Sequence, residues 1–91
     1  MTVYIGEIRC DETVRRKLHE KHGITLDAVR EALQAPARAE AAWEHDEPNG
    51  GWRVVAVGAT SQGREVIAVL LPLPDWDYDA ETWLVKTARW V

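Results

Sequence analysis

Six consecutive apolar residues, Val66-Ile67-Ala68-Val69-Leu70-Leu71, follow the turn-forming Ser61-Gln62-Gly63 and stop at Pro72. A short apolar run bounded in this way reads as a central strand buried on both faces, here Arg64 to Leu71. Such a strand needs partners on either edge, and the chain supplies them. Trp52 to Thr60 reads as a strand that reaches the run through the Ser61-Gln62-Gly63 turn. Ala37 to His45 alternates weakly, with Ala39, Ala41 and Trp43 on one side and Arg38, Glu40 and Glu44 on the other. Pro48-Asn49-Gly50-Gly51 then supplies residues that tolerate positive backbone dihedrals and predicts a hairpin. Thr82 to Val91 predicts a last strand, with Trp83, Val85, Thr87 and Arg89 on one face. Pro72-Leu73-Pro74-Asp75-Trp76-Asp77-Tyr78-Asp79, in front of it, predicts an exposed acidic loop.

The first third of the chain has a different rhythm. Thr2 to Arg9 predicts a short opening strand through Val3 and Ile5. Asp11 is placed to cap a helix whose Val14, Leu18 and His22 recur every four residues, and Gly23 can end it in the left-handed conformation. Thr25 caps a second helix carrying Leu26, Val29 and Leu33, with Ile24 as a staple against Val29 and Pro36 as the stop. Neither helix is long enough to be stable alone in water, so both must lean on the sheet. The fold class that follows is α+β: a short N-terminal strand, two helices, then a mainly antiparallel sheet of four strands, β-α-α-β-β-β-β, with the helices on one face. Ninety-one residues allow one such domain, spanning 1 to 91, and no second core.

Charge narrows the function classes. The formal net charge of −4 argues against coating nucleic acid without specificity, because that affinity comes from neutralising phosphates. Local sign differs from the total: Arg15, Arg16, Lys17 and Lys21 make one helix basic, while Asp75, Asp77, Asp79 and Glu81 crowd one loop. Cys10 has no cysteine partner in the chain, which predicts a reducing, cytoplasmic setting. The N-terminus lacks the pattern of a signal peptide, and no apolar stretch approaches a membrane span. Three histidines and one cysteine show no convincing ligand spacing, since the His19 and His22 pair is common by chance; no metal and no cofactor are expected.

The corner Lys21-His22-Gly23-Ile24-Thr25 ahead of an amphipathic helix, the hairpin that runs from Arg53 through Gly58, Thr60 and Gly63 to Arg64, and the late Thr87-Ala88-Arg89 stand in a telling order. Together they resemble the BrnT-like toxins of bacterial type II toxin-antitoxin systems, part of the ribonuclease toxin superfamily that includes the RelE and ParE groups. The resemblance covers residues 11 to 91 and implies a RelE-like fold. It also implies an RNA endonuclease, active in the cytoplasm and held inactive by a cognate antitoxin; it leaves homodimerisation open. Carried over by position, Lys21 and His22 match the basic residue and histidine at the helix corner. Arg53 matches the basic residue of the hairpin, Arg64 the one after its turn, and Arg89 the terminal one.

Cutting RNA without a metal needs a group that moves protons between the 2′-hydroxyl and the leaving 5′-oxygen, and cations for the charge gathering on phosphorus. An imidazole titrates near neutral pH, so His22 is the candidate acid or base. Arg53, Arg64 and Arg89 carry forked donors suited to phosphate oxygens, and Lys17, Lys21 and Lys86 are candidates for holding the substrate. Each has a plainer alternative. His22 can pack at a helix end and bond terminal carbonyls, Lys21 can be a solvated charge, Arg53 can form a structural ion pair, and Arg64 and Arg89 can sit exposed at a turn and a rim. Trp43, Trp52 and Trp83 suit strand packing, Trp76 and Trp90 suit partner contacts, and Cys10 a small buried hydrophobe. Two rival functions follow. One is a noncatalytic protein-binding domain of the same fold that uses the acidic loop and exposed tryptophans. The other is a small regulatory subunit that touches DNA only beside a partner.

Overall fold

The computed structural model describes residues 3–46, 51–72 and 81–91. Along the chain come β1 (Glu7–Arg9), α1 (Glu12–His22), α2 (Leu26–Leu33), β2 (Glu40–Asp46), β3 (Gly51–Ala59), β4 (Glu65–Pro72) and β5 (Thr82–Trp90). The strands form one sheet in the order β1-β5-β4-β3-β2, antiparallel throughout except where β1 runs parallel to β5. This is the α+β layout the residue pattern predicts, with β4 at the centre. The opening strand is shorter than predicted. Val3 and Ile5 pack on the core ahead of β1 without joining the sheet.

Local chemistry starts and stops the helices. The Asp11 carboxylate accepts from the Val14 amide at 2.8 Å, and the Thr25 hydroxyl accepts from the Ala28 amide at 3.1 Å, each satisfying a donor that a first helical turn leaves open. Gly23 ends α1 at φ 60°, a conformation that costs a side-chain-bearing residue about 1–2 kcal/mol. There its amide donates to the His19 carbonyl and that of Ile24 to the Leu18 carbonyl, at 3.1 and 3.2 Å. The chain then turns directly into α2, so both helices stay on one side of the sheet.

Leu18, Ile24, Val29 and Leu33 from this helical layer meet Val54, Val66 and Leu70 of the sheet, all at 1% exposure or less. Burying each such side chain is worth about 1.5–3 kcal/mol. At Gly58 the layers come closest: a Cβ built there would lie 2.2 Å from the Ala32 carbonyl oxygen, so α2 seats on β3 only because the strand has no side chain at that point.

Three sequence expectations need correcting. β4 is not buried on both faces: Val66, Ala68 and Leu70 are buried, whereas Ile67, Val69 and Leu71 are half-buried, because the two helices cover one face alone. In β5 the alternation breaks. Val69 faces Thr87 but Leu70 faces Val85, which leaves Lys86 as the extra residue of a bulge. Trp83, Val85, Ala88 and Trp90 therefore point to the helices, and Leu84, Thr87 and Arg89 point away. Trp52, finally, is 58% exposed and meets His45 in a tilted ring contact, centroids 4.8 Å apart, since it sits at the Gly51 end of β3, away from α2. Trp43 and Trp83 do pack, 5.4 Å apart, and the Trp83 indole N–H donates to the Tyr4 carbonyl at 3.0 Å.

The two sheet edges are finished differently. β1 has three residues, and side chains from α2 and its C-cap close its outer edge: Gln34 Oε1 accepts from the Ile8 amide at 2.8 Å and Arg30 Nε donates to the Ile8 carbonyl at 2.9 Å. β2 has seven residues and pairs with β3 on one side. The tip of the hairpin at 48–50 and the acidic loop with Trp76 lie outside the described residues.

Candidate functional site

The strands and the α1–α2 corner place the candidate side chains at two ends of the sheet. His22 is the last residue of α1 and is exposed, as are Lys21 and Lys17 on the same helix. The carbonyl of Gly23, one residue on, accepts from the Trp90 indole N–H at 3.2 Å. Over that indole lies the Arg64 guanidinium, 3.8 Å from the ring centroid, a cation–π contact that orients the group without neutralising it. Arg89 precedes Trp90 and points to the opposite side of the sheet, across from Ile67. The C-terminal end of β5, the turn before β4 and the α1 corner thus lie at one end of the sheet, joined by the Arg64–Trp90 and Trp90–Gly23 contacts. Arg64 lies on the helix side with Trp90 and Arg89 on the open face, and among the described residues no hydrogen bond or ring contact joins the His22 side chain to either.

Arg53 does not join them. It faces Glu44 across the β2–β3 ladder, its Nε donates to Glu44 Oε1 at 3.1 Å, and its Nη2 pairs with the same oxygen. Measured through Val57, Ile67 and Arg89, which face one another, Arg53 lies four residues along and two strands across from Arg89. At about 3.3 Å per residue and 4.8 Å per strand that is roughly 16 Å, with Arg53 turned toward β2 and away from β5. The structural ion pair is the role its surroundings give it. Lys86 stands exposed at the bulge and has interaction partners of its own.

Among the described residues, the surroundings shift two groups from their ordinary values. Glu31 is held below the usual carboxylate range by the Ser61 side chain and then by the Ser61 amide, which donates to its Oε1 at 2.6 Å. Burial foremost, with Asp11 beside it, raises the half-buried Cys10 thiol, whose S–H donates to the Asp11 carbonyl at 3.4 Å. A thiol shifted in that direction is a poor nucleophile.

Between α2 and the β3–β4 turn runs a shallow groove of about 600 Å³, where Asp27 and Glu31 alternate with Arg30 and Arg38. Its mixed charge gives it no preference for an anion. Among the described residues, no three or more His, Cys, Asp or Glu are grouped to hold a metal ion, and no helix is long and apolar enough to cross a membrane. The chain matches no protein-family model, no curated protein and no solved structure.

Sequence reasoning missed Glu44 as the partner of Arg53: the Pro48-Asn49-Gly50-Gly51 turn signal is centred one residue later than the observed β2–β3 register, which sets Glu44 opposite Arg53. It also missed the tie from Trp90 to Gly23, for which the sequence carries no local signal.

Proposed function

We propose that this chain is a small toxin that cuts RNA in the cytoplasm without a metal, of the BrnT-like kind, and that a cognate antitoxin silences it. The observation that supports this best is the end of the sheet where β5 closes: α1 brings His22 there, the turn before β4 brings Arg64 on the helix side, and β5 brings Arg89 on the open face. In this reading an RNA backbone crosses this end, Arg64 and Arg89 hold phosphate oxygens from either side, and His22 carries the proton. Lys21 and Lys17 add positive charge along the approach. Arg53 belongs to the framework.

The test is cleavage of total RNA by the purified chain in the presence of a chelator. His22→Ala should lower the rate at least about a hundred-fold, the usual scale for a lost proton-transfer group, and Arg89→Ala by about as much, the usual scale for a lost charge-stabilising donor. Arg53→Ala should retain the rate. Intact RNA with the parent protein, or loss of cutting only in the Arg53 variant, refutes the proposal. A second reading has its own support: the open face carries half-buried Val55, Val57, Ile67 and Val69, as a noncatalytic protein-binding domain would. Under that reading the same substitutions weaken partner binding and there is no cutting to lose.

A further inference from the structure

The unequal sheet edges point to a docking site. An exposed strand edge presents a row of backbone donors and acceptors that templates another strand, and proteins blunt such edges by shortening them, covering them, or placing lysine or proline on them. β1 is treated in this way, with three residues and an edge closed by Gln34 and Arg30. β2 is not. It runs for seven residues, Glu40-Ala41-Ala42-Trp43-Glu44-His45-Asp46, with no lysine, no proline and a ladder to β3 free of register shifts. Among the described residues no element other than β3 pairs with it.

We infer that the outer edge of β2 accepts an extended, cationic segment of a partner polypeptide as a sixth strand. Charge selects the occupant. The strand carries Glu40, Glu44 and Asp46 and no Lys or Arg. Glu40 and Glu44 share the face that points away from the helices, while Ala41, Trp43 and His45 share the other, because Trp43 faces the buried Val54 across the ladder. The incoming strand therefore sets a basic residue against the exposed Glu40, Glu44 being already paired with Arg53, and apolar residues on the alternate positions against Ala41, Trp43 and His45. A second copy of this chain is a poor occupant, since full-length two-fold pairing of β2 would set Glu40 opposite Asp46 at both ends. This inference does not rest on the nuclease reading.

The probe is the blocked peptide Arg-Val-Thr-Val-Arg-Val, titrated into the isotope-labelled full chain while the β2 amides are followed by NMR. Binding should shift and protect alternate β2 amides. Two further peptides, each N-methylated on one set of alternate amides, should divide: one fails to bind and the other binds as the parent does. Glu40→Lys, an exposed change that leaves the Arg53–Glu44 pair intact, should weaken binding by roughly five-fold or more. No binding at millimolar peptide, equal binding of both methylated forms, or shifts confined to residues outside β2 would each overturn the inference. So would a free chain that is already dimeric with protected β2 amides, which assigns the edge to a second copy.

Discussion

Replacing Gly58 with alanine isolates the contact on which the two layers depend. The added methyl carbon would stand 2.2 Å from the Ala32 carbonyl oxygen and 3.1 Å from Leu33 Cδ2. Real Cβ contacts essentially never fall under 3.0 Å, so α2 must retreat by at least 0.8 Å, the difference between 3.0 and 2.2. The obstacle is backbone and cannot rotate aside, and the retreat strips packing from Val29, Ala32 and Leu33, all buried. Overpacking of this kind costs about 1–3 kcal/mol, and a rigid obstacle argues for the upper end. For a domain of this size, about 3 kcal/mol lowers Tm by roughly 12–24 °C. The sign is informative as well, because alanine in a strand interior otherwise gains about 0.5–1 kcal/mol over glycine. Urea unfolding of Gly58→Ala beside Gly51→Ala, where a Cβ would meet nothing within 4 Å, makes the comparison. Equal stability of the Gly58 variant and the parent would refute the close approach of α2 to β3.

Gln34→Ala removes the acceptor for the Ile8 amide, a fully buried residue, and should cost about 1–3 kcal/mol, with faster hydrogen exchange at the Ile8 amide as the specific sign. Asp11→Ala and Thr25→Ala each remove one cap and should cost about 1 kcal/mol in chemical denaturation, with the double variant losing close to the sum. Glu31 has a folded-state pKa below its unfolded value. Its contribution to stability is therefore complete above about pH 4.3 and fades as pH falls through the depressed folded value. An NMR titration of the Glu31 carboxyl should show the low midpoint, and Ser61→Ala should move it toward the ordinary range while the amide bond keeps part of the shift.

What the sequence revealed and what it hid follow one division. Asp11, Gly23 and Thr25 act within a few residues of themselves, so the helix caps and the helical corner are legible as residue types at fixed offsets. The order and identity of the later strands are legible for the same reason, since turn residues and alternation are local signals. Which face of β4 stays open depends instead on where two short helices land, and its apolar run reads the same whether one face or both are covered. The candidate site divides likewise. Arg53 reads as a phosphate ligand until the hairpin register brings Glu44 opposite it, whereas Arg64 and Trp90, far apart in sequence, meet only because β4 and β5 are paired.

The bulge at Lys86 acts as a half-step in the wiring of the last strand. Were the same residues laid out as a regular, unbulged strand, the parity of everything after Lys86 would invert, swinging the indole of residue 90 out into water and the guanidinium of residue 89 in against the helices. A single position with no packing duty thus decides which of two neighbouring side chains holds the helical corner in place and which remains free to meet a visitor.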